Sequence, residues 1–160
     1  MDIIQETAAL VRSLGAGFGV ELELDATGAC GLRVDDRLDL TLRHEPSPPG
    51  LLVYAPVGIL PEAPVEGVLR ALLEANHVWD GTRGATWSLA GEEVVLSRLF
   101  PLANLEAGML AAELAAFVEV ALAGQQALQQ PSARDRAMQS AVPAVLPAAP
   151  GGIPPGAIAP

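Results

Sequence analysis

The sequence is poor in cysteine, aromatic residues and positive charge, and each shortage excludes a class of protein. A single cysteine, Cys30, among 160 residues rules out an intramolecular disulfide framework and is typical of a reducing compartment. Aromatic residues make up 4% of the chain and hydrophobic residues 51%, so the core has to be aliphatic. Nine basic residues oppose nineteen acidic ones, which gives a net charge of −10. Phosphate backbones and anionic membrane surfaces would repel such a chain, so nucleic acid is not an expected partner.

The sequence also shows no targeting or membrane-spanning segment. Residues 1–13 lack the positive region and the long apolar core of a signal peptide. No run approaches the roughly 20 apolar residues that a membrane-spanning helix needs. We therefore expect a soluble cytoplasmic protein that does not insert into membranes.

Hydrophobic periodicity predicts three helices, with all the candidate strands lying between the first and the last of them. Asp2 is a candidate N-cap of the first helix, and Gly15 is its expected stop. The predicted helices cover Asp2–Leu14, a stretch from about Pro64 to Asn76, and Leu105–Gln129. The candidate strands are Phe18–Leu24, Cys30–Val34, Leu38–His44, Leu51–Ala55, Ala85–Leu89 and Val94–Leu99. This pattern predicts an α+β fold of order α-β-β-β-α-β-β-α, in which three helices flank an antiparallel sheet of about five strands.

The composition changes sharply near residue 130. Seven of the fourteen prolines lie in residues 131–160, mixed with Ala and Gly and without any aromatic residue. We predict that residues 1–129 form the folded domain and that residues 130–160 are a disordered tail rich in Pro, Ala and Gly.

No residue pattern indicates catalysis. The two histidines, His44 and His77, belong to no metal-ligand spacing, and Cys30 lies in an apolar strand, where packing is its usual role. No nucleotide-binding loop is present either, so no cofactor is expected. A small hydrolase or ligand-binding domain that uses His44 or His77 remains an alternative, as does a dimeric regulatory adaptor.

Residues 69–102 carry a family resemblance. A predicted helix ends at Leu72-Leu73-Glu-Ala-Asn76, and Asn76 is expected to adopt the left-handed cap conformation. Two predicted strands follow, Gly84–Leu89 and Val94–Leu102, joined by a turn at Gly91. This arrangement, and the last helix after it, resemble the class I type III secretion chaperones of the Tir-chaperone family.

The resemblance implies a protein that works by binding rather than by catalysis. Members of that family are bacterial cytoplasmic homodimers that bind the N-terminal region of a secreted effector, keep it non-globular and deliver it to the secretion machinery. The ATPase of the secretion system is thereby a further candidate partner.

We predict two apolar surfaces from these considerations. The effector-binding groove is expected to draw on the first helix and the first strands, through Ile4, Val11, Leu14, Phe18, Val20, Leu22, Leu32 and Val34. The dimer interface is expected to use Val65, Val68, Leu69, Leu72 and Trp87.

Overall fold

The computed structural model describes residues 2–62 and 64–130. Helix α1 spans Ile3–Phe18, and three strands follow: β1 (Ala29–Val34), β2 (Leu38–Pro46) and β3 (Pro49–Ile59). Helix α2 (Glu66–Asn76) runs into a short 3-10 turn, His77–Trp79, and strands β4 (Thr86–Ala90) and β5 (Glu93–Pro101) lead to helix α3 (Ala107–Gln129). The predicted α+β order is confirmed. The prediction for residues 130–160 concerns a tail that lies, apart from Gln130, outside the described residues.

The five strands form one antiparallel sheet in the order β1-β2-β3-β5-β4. Strand register places alternate aliphatic side chains on one face, because residues directly opposite each other in an antiparallel pair share a face. That face packs against α1 and α3. The buried members of its three central strands are Leu38, Leu40, Leu42, Leu51, Val53, Ala55, Val57, Val94, Leu96 and Phe100. The core is therefore aliphatic, as the composition requires.

Helix α3 supplies the other half of this core. Its buried residues recur at helical spacing and are Leu110, Leu114, Phe117 and Ala121. The sequence predicts no segment long enough to cross a bilayer. Helix α3, however, is long and apolar enough by length and composition, and it is the one such helix in the described part of the chain. Its buried stripe packs into the protein core, which is how the core helix of a globular domain behaves.

The strand predicted over Phe18–Leu24 is not formed. Helix α1 continues through Gly15 and ends at Gly19, which adopts the left-handed conformation with φ of 70°. Gly15 serves a different purpose: a Cβ there would lie 2.6 Å from the carbonyl oxygen of Val20, so only glycine lets the returning chain approach the helix. Asp2 precedes α1 but makes no side-chain capping hydrogen bond.

Asn76 also differs from expectation. Its φ of −72° is not left-handed. Instead its side-chain amide bonds the backbone of Trp87 in both directions: Trp87 N–H donates to Asn76 Oδ1 at 2.8 Å, and Asn76 Nδ2 donates to the Trp87 carbonyl at 3.0 Å. The amide thereby occupies part of the outer edge of β4, where a sixth strand would otherwise pair.

Candidate functional site

Large apolar side chains remain exposed at several places on the described chain. Ten of them stand out: Ile3, Ile4, Phe18, Val20, Ile59, Leu73, Val78, Trp79, Leu89 and Met109. Four lie on or just after α1, and three lie on α2 or in the turn that follows it. A domain of this size has enough buried positions to hide most such groups, so clusters of this kind mark surfaces that bind other molecules.

The first group, which we call the α1 surface, consists of Ile3 and Ile4 at the start of α1 and of Phe18 and Val20 at and just after its end, so it spans the length of the helix. Their side chains are 40–47% exposed. The left-handed turn at Gly19 separates Phe18, the last residue of the helix, from Val20, the first residue of the returning chain.

The residues predicted to form the effector groove divide between this surface and the core. Ile4, Phe18 and Val20 belong to the α1 surface. Leu32 and Val34 are partly buried on the helix-facing side of β1. Three others are core residues, Val11, Leu14 and Leu22, with at most 5% of their surface exposed. These three do not line an accessible groove in this structure, because α1 turns Val11 and Leu14 into the core and the returning chain packs Leu22 against Gly15.

The second cluster, which we call the α2 surface, lies along α2 and the turn after it. Val65, Leu69, Leu73 and His77 help to line an open groove of about 630 Å³. None of the eleven residues of α2 is buried, and Leu73 is 70% exposed. The helix thus presents apolar residues that its own protomer leaves uncovered.

The turn after α2 adds two exposed residues to this surface. Val78 and Trp79 have positive φ values of 54° and 55°, a conformation that is costly for branched or bulky side chains. They are 62% and 53% exposed. The Trp79 indole N–H donates to Thr86 Oγ1 at 3.3 Å and so fixes the ring beside β4. The sequence analysis missed both residues, since no periodic pattern marks a short left-handed turn.

The predicted interface residues do not share one environment. Val65, Val68, Leu69 and Leu72 are partly buried on α2, and Leu72 packs against the core. Trp87 is a core residue, only 9% exposed, whose ring lies against Gly124 of α3. In this structure the Trp87 side chain fills its own protomer and is not part of the α2 surface.

The histidines are placed for structural roles. His44 Nδ1 lies 2.9 Å from the hydroxyl of Thr7, a buried residue whose single proton is donated to the Ile3 carbonyl. The hydroxyl oxygen must therefore accept a hydrogen bond from His44 Nδ1–H. This bond fixes the histidine proton on Nδ1 and links β2 to α1. His77 is exposed at the end of α2. Within residues 2–62 and 64–130 no group of three or more His, Cys, Asp or Glu is arranged to hold a metal ion.

Cys30 is half-buried in β1, beside the turn that contains Asp25. Burial, and to a lesser extent the negative charge of Asp25, raises the pKa of the Cys30 thiol. A raised pKa favours the unreactive thiol over the thiolate. This environment agrees with the packing role expected for Cys30.

The sequence matches a known protein family over most of its length. Residues 9–123 match the Tir chaperone protein (CesT) family. The chain belongs to this family. The resemblance noted from the sequence is thus confirmed, and with it the assignment of the chain to the effector-binding chaperones of type III secretion. Comparison with curated protein sequences gave no match.

Solved structures share the fold of this Tir-chaperone family member. The ExsC–ExsE complex aligns with a TM-score of 0.71 at 24% identity, covering 80% of this chain and 97% of that chain. The HopA1–SchA chaperone–effector complex aligns with a TM-score of 0.66 at 18% identity, covering 79% and 98%. The Yersinia pestis type III secretion chaperone SycH, in complex with a stable fragment of YscM2, aligns with a TM-score of 0.61 at 18% identity, covering 72% and 97%.

Proposed function

We propose that this chain is a cytoplasmic, non-enzymatic homodimer that binds the N-terminal region of a secreted effector as an extended chain. It keeps that segment competent for secretion and delivers it to the secretion apparatus, where the secretion ATPase is a further partner. The observation that carries the proposal is the pair of apolar surfaces, one on α1 and one on α2, on a domain that already has a complete core of its own.

The α1 surface is suited to an extended client. Complete burial of one large aliphatic or aromatic side chain contributes about 1.5–3 kcal/mol. Since Ile3, Ile4, Phe18 and Val20 are 40–47% exposed, covering what remains of all four would contribute roughly 2.5–5.5 kcal/mol. This corresponds to a gain in affinity of about a hundredfold to ten-thousandfold before the cost of ordering the client is subtracted. These apolar anchors therefore supply part of the binding free energy, and main-chain hydrogen bonds from an added strand would supply more.

The α2 surface is suited to a second copy of the chain. Obligate homodimer interfaces resemble a protein core cut in half, and α2 carries apolar residues that its own chain covers only in part. Within its own chain α2 packs mainly against β4 and the short turn after it. A two-fold axis beside α2 would bring the same apolar row from each protomer together.

The chemistry of the titratable groups supports binding rather than catalysis. His44 has its Nδ1 engaged by Thr7, and burial favours the thiol form of Cys30. His77 lines the α2 groove, together with Leu73 and Glu74 among others. These environments give no activated nucleophile, and the proposed function needs no cofactor. A hydrolase that uses His44 or His77 is therefore not favoured.

The test is a quantitative capture from the native cytosol with the intact protein as bait, read by mass spectrometry. Phe18→Ser is compared with Met109→Ser, which removes a comparably exposed apolar side chain from α3. We expect wild type and Met109→Ser to recover the same secreted protein, and Phe18→Ser to recover far less. A titration with the N-terminal segment of that protein should show affinity falling more than tenfold for Phe18→Ser.

Circular dichroism shows whether each variant is folded. If Phe18→Ser is native and binds the client as wild type does, the client does not use the α1 surface. If wild type recovers no secreted protein, the chaperone proposal for this chain fails.

A further inference from the structure

The chain between α1 and β1 runs back along the helix. At the C-terminal end of α1, Val20 N–H donates to the Gly15 carbonyl at 3.0 Å. At the other end, Gly28 faces Ile4, since a Cβ on Gly28 would be 3.9 Å from Ile4 Cδ1. Residues 20–28 therefore pass beside the α1 surface from one end of the helix to the other.

The backbone of Glu21–Leu24 makes no hydrogen bond within the described part of the chain. Backbone hydrogen bonds are formed on either side of this segment. Val20 N–H donates to the Gly15 carbonyl, and Asp25 N–H donates to the Ala29 carbonyl at 2.8 Å. Backbone donors and acceptors are strong hydrogen-bonding groups, and four successive residues without partners offer a place for an added strand to pair.

The side chains of this segment carry apolar and acidic residues in alternation. Val20 is exposed, Leu22 is buried, and Glu21 and Glu23 are both exposed. Among the described residues no arginine or histidine lies within ion-pair distance of either glutamate.

The rest of the described chain has few cations to offer these carboxylates. Residues 2–130 contain seven arginines and eighteen acidic residues, a difference of −11. Five of those arginines already pair with carboxylates of this chain: Arg33, Arg43, Arg70, Arg83 and Arg98. A molecule that covers this segment thus meets negative charge that is not neutralised by a described neighbour.

We propose that residues 20–24 select an extended client segment in which apolar residues alternate with lysine or arginine. This rests on the proposed function and specifies the chemistry of the client at that place. The apolar residues of the client would cover Phe18 and Val20, and its cations would lie opposite Glu21 and Glu23. Opposite charges facing each other across paired strands are stabilising and like charges are destabilising, so an alternating acidic segment is rejected.

The experiment titrates two synthetic peptides into the intact protein, one alternating valine with lysine and one alternating valine with glutamate. Calorimetry gives the affinities, and amide chemical shifts locate the binding site. The test variant is E21Q/E23Q, which keeps side-chain shape and removes both charges. The matched control is E62Q/E92Q, which removes two exposed carboxylates elsewhere.

We expect the lysine peptide to bind and to shift the amides of Glu21–Leu24. Its affinity should fall about fourfold to ninefold in E21Q/E23Q, since each of the two opposite-charge pairs contributes about twofold to threefold. Its affinity should weaken with added salt, and E62Q/E92Q should bind as wild type does.

Four outcomes overturn the inference: equal affinity for the two peptides, unchanged affinity in E21Q/E23Q, amide shifts confined to other segments, or no binding of the lysine peptide. Capture of the natural client separates the two proposals. If E21Q/E23Q binds that client as tightly as wild type does, the chaperone function stands and the charge selection is wrong.

Discussion

Replacing Gly124 with alanine tests how closely α3 packs on the sheet. A Cβ at this position would lie 2.3 Å from Cη2 and 2.9 Å from Cζ2 of Trp87, distances that non-bonded atoms do not tolerate. The indole cannot easily move away, because Asn76 bonds the Trp87 backbone on both sides and the ring is 9% exposed. Overpacking of this kind costs about 1–3 kcal/mol, against a gain of about 1 kcal/mol from replacing glycine inside a helix. We expect Gly124→Ala to destabilise the protein by about 1 kcal/mol.

Gly108→Ala is the matched control in the same helix. Nothing lies within 4 Å of a Cβ at Gly108, so this variant should gain about 0.4–1 kcal/mol, chiefly by restricting the unfolded chain. The two alanine variants should therefore differ by about 2 kcal/mol, or about 8 °C in melting temperature. Urea and thermal unfolding followed by circular dichroism measure both quantities.

A double-mutant cycle identifies the contact responsible. Trp87→Phe removes the ring atoms that the new methyl group would strike, and alone it destabilises the protein by leaving a cavity. In the Gly124→Ala background the same change should cost less, because the methyl group occupies part of that space. If Gly124→Ala is as stable as Gly108→Ala, or if the cycle shows no coupling, the packing of Trp87 on α3 described above is wrong.

Three further predictions concern the edge of β4, the α1–β1 turn and the α2 surface. Asn76→Ala removes both bonds to the Trp87 backbone and should lower the free energy of unfolding by about 1–3 kcal/mol in urea denaturation. The pKa of Asp25 is lowered mainly by the Thr27 hydroxyl, so its stabilising effect is present above the unfolded pKa and is lost as pH falls through the lower folded value. As pH falls below the ordinary aspartate pKa of about 3.9, the free energy of unfolding should therefore depend less on pH in Asp25→Asn than in wild type. Leu73→Asp should convert the dimer into folded monomers in sedimentation experiments, and a wild-type monomer at micromolar concentration would contradict the dimer.

Leu73 is a better probe of the proposed dimer than Leu72, which is one of the five interface residues predicted from the sequence. Leu72 is partly buried and packs against the core, so a charge there would unfold the protomer and separate the subunits at once. Leu73 is 70% exposed, so an aspartate at this position should leave the protomer folded. Helical periodicity identified the apolar residues of α2 but could not separate those that face the core from those that face outward.

Sequence reasoning identified correctly those elements whose hydrophobic period matches the surface against which they pack. The hairpin of β4 and β5 alternates cleanly, and each strand finds a neighbour in the sheet. The long apolar period of α3 likewise meets the aliphatic face of the sheet. In these segments local preference and tertiary packing require the same structure, so a single sequence is sufficient.

The failures have identifiable physical causes. Three glycines, Gly15, Gly17 and Gly19, could each have ended α1, and only the structure shows that Gly19 takes the left-handed conformation. The sequence predicts Asn76 as a helix cap because asparagine tolerates positive φ. In the structure its side-chain amide instead bonds the backbone of Trp87, in a strand eleven residues further along the chain. For Asn76 a contact beyond its own helix decided the outcome, and a local pattern carries no information about such a contact.

The largest disagreement between pattern and fold falls on the segment proposed to bind the client. Phe18–Leu24 alternates as regularly as any strand of the sheet, yet it leaves the helix at Gly19 and pairs with nothing in the described part of the chain. Natural sequences are mostly consistent from local preference to global fold, and the exceptions concentrate at functional sites. A strand pattern without a strand partner is accounted for if the partner is supplied by another molecule. On this view Leu22 and Leu24 pack the segment against the core, while the exposed Val20 and the backbone of Glu21–Leu24, unpaired among the described residues, stay open to a client strand.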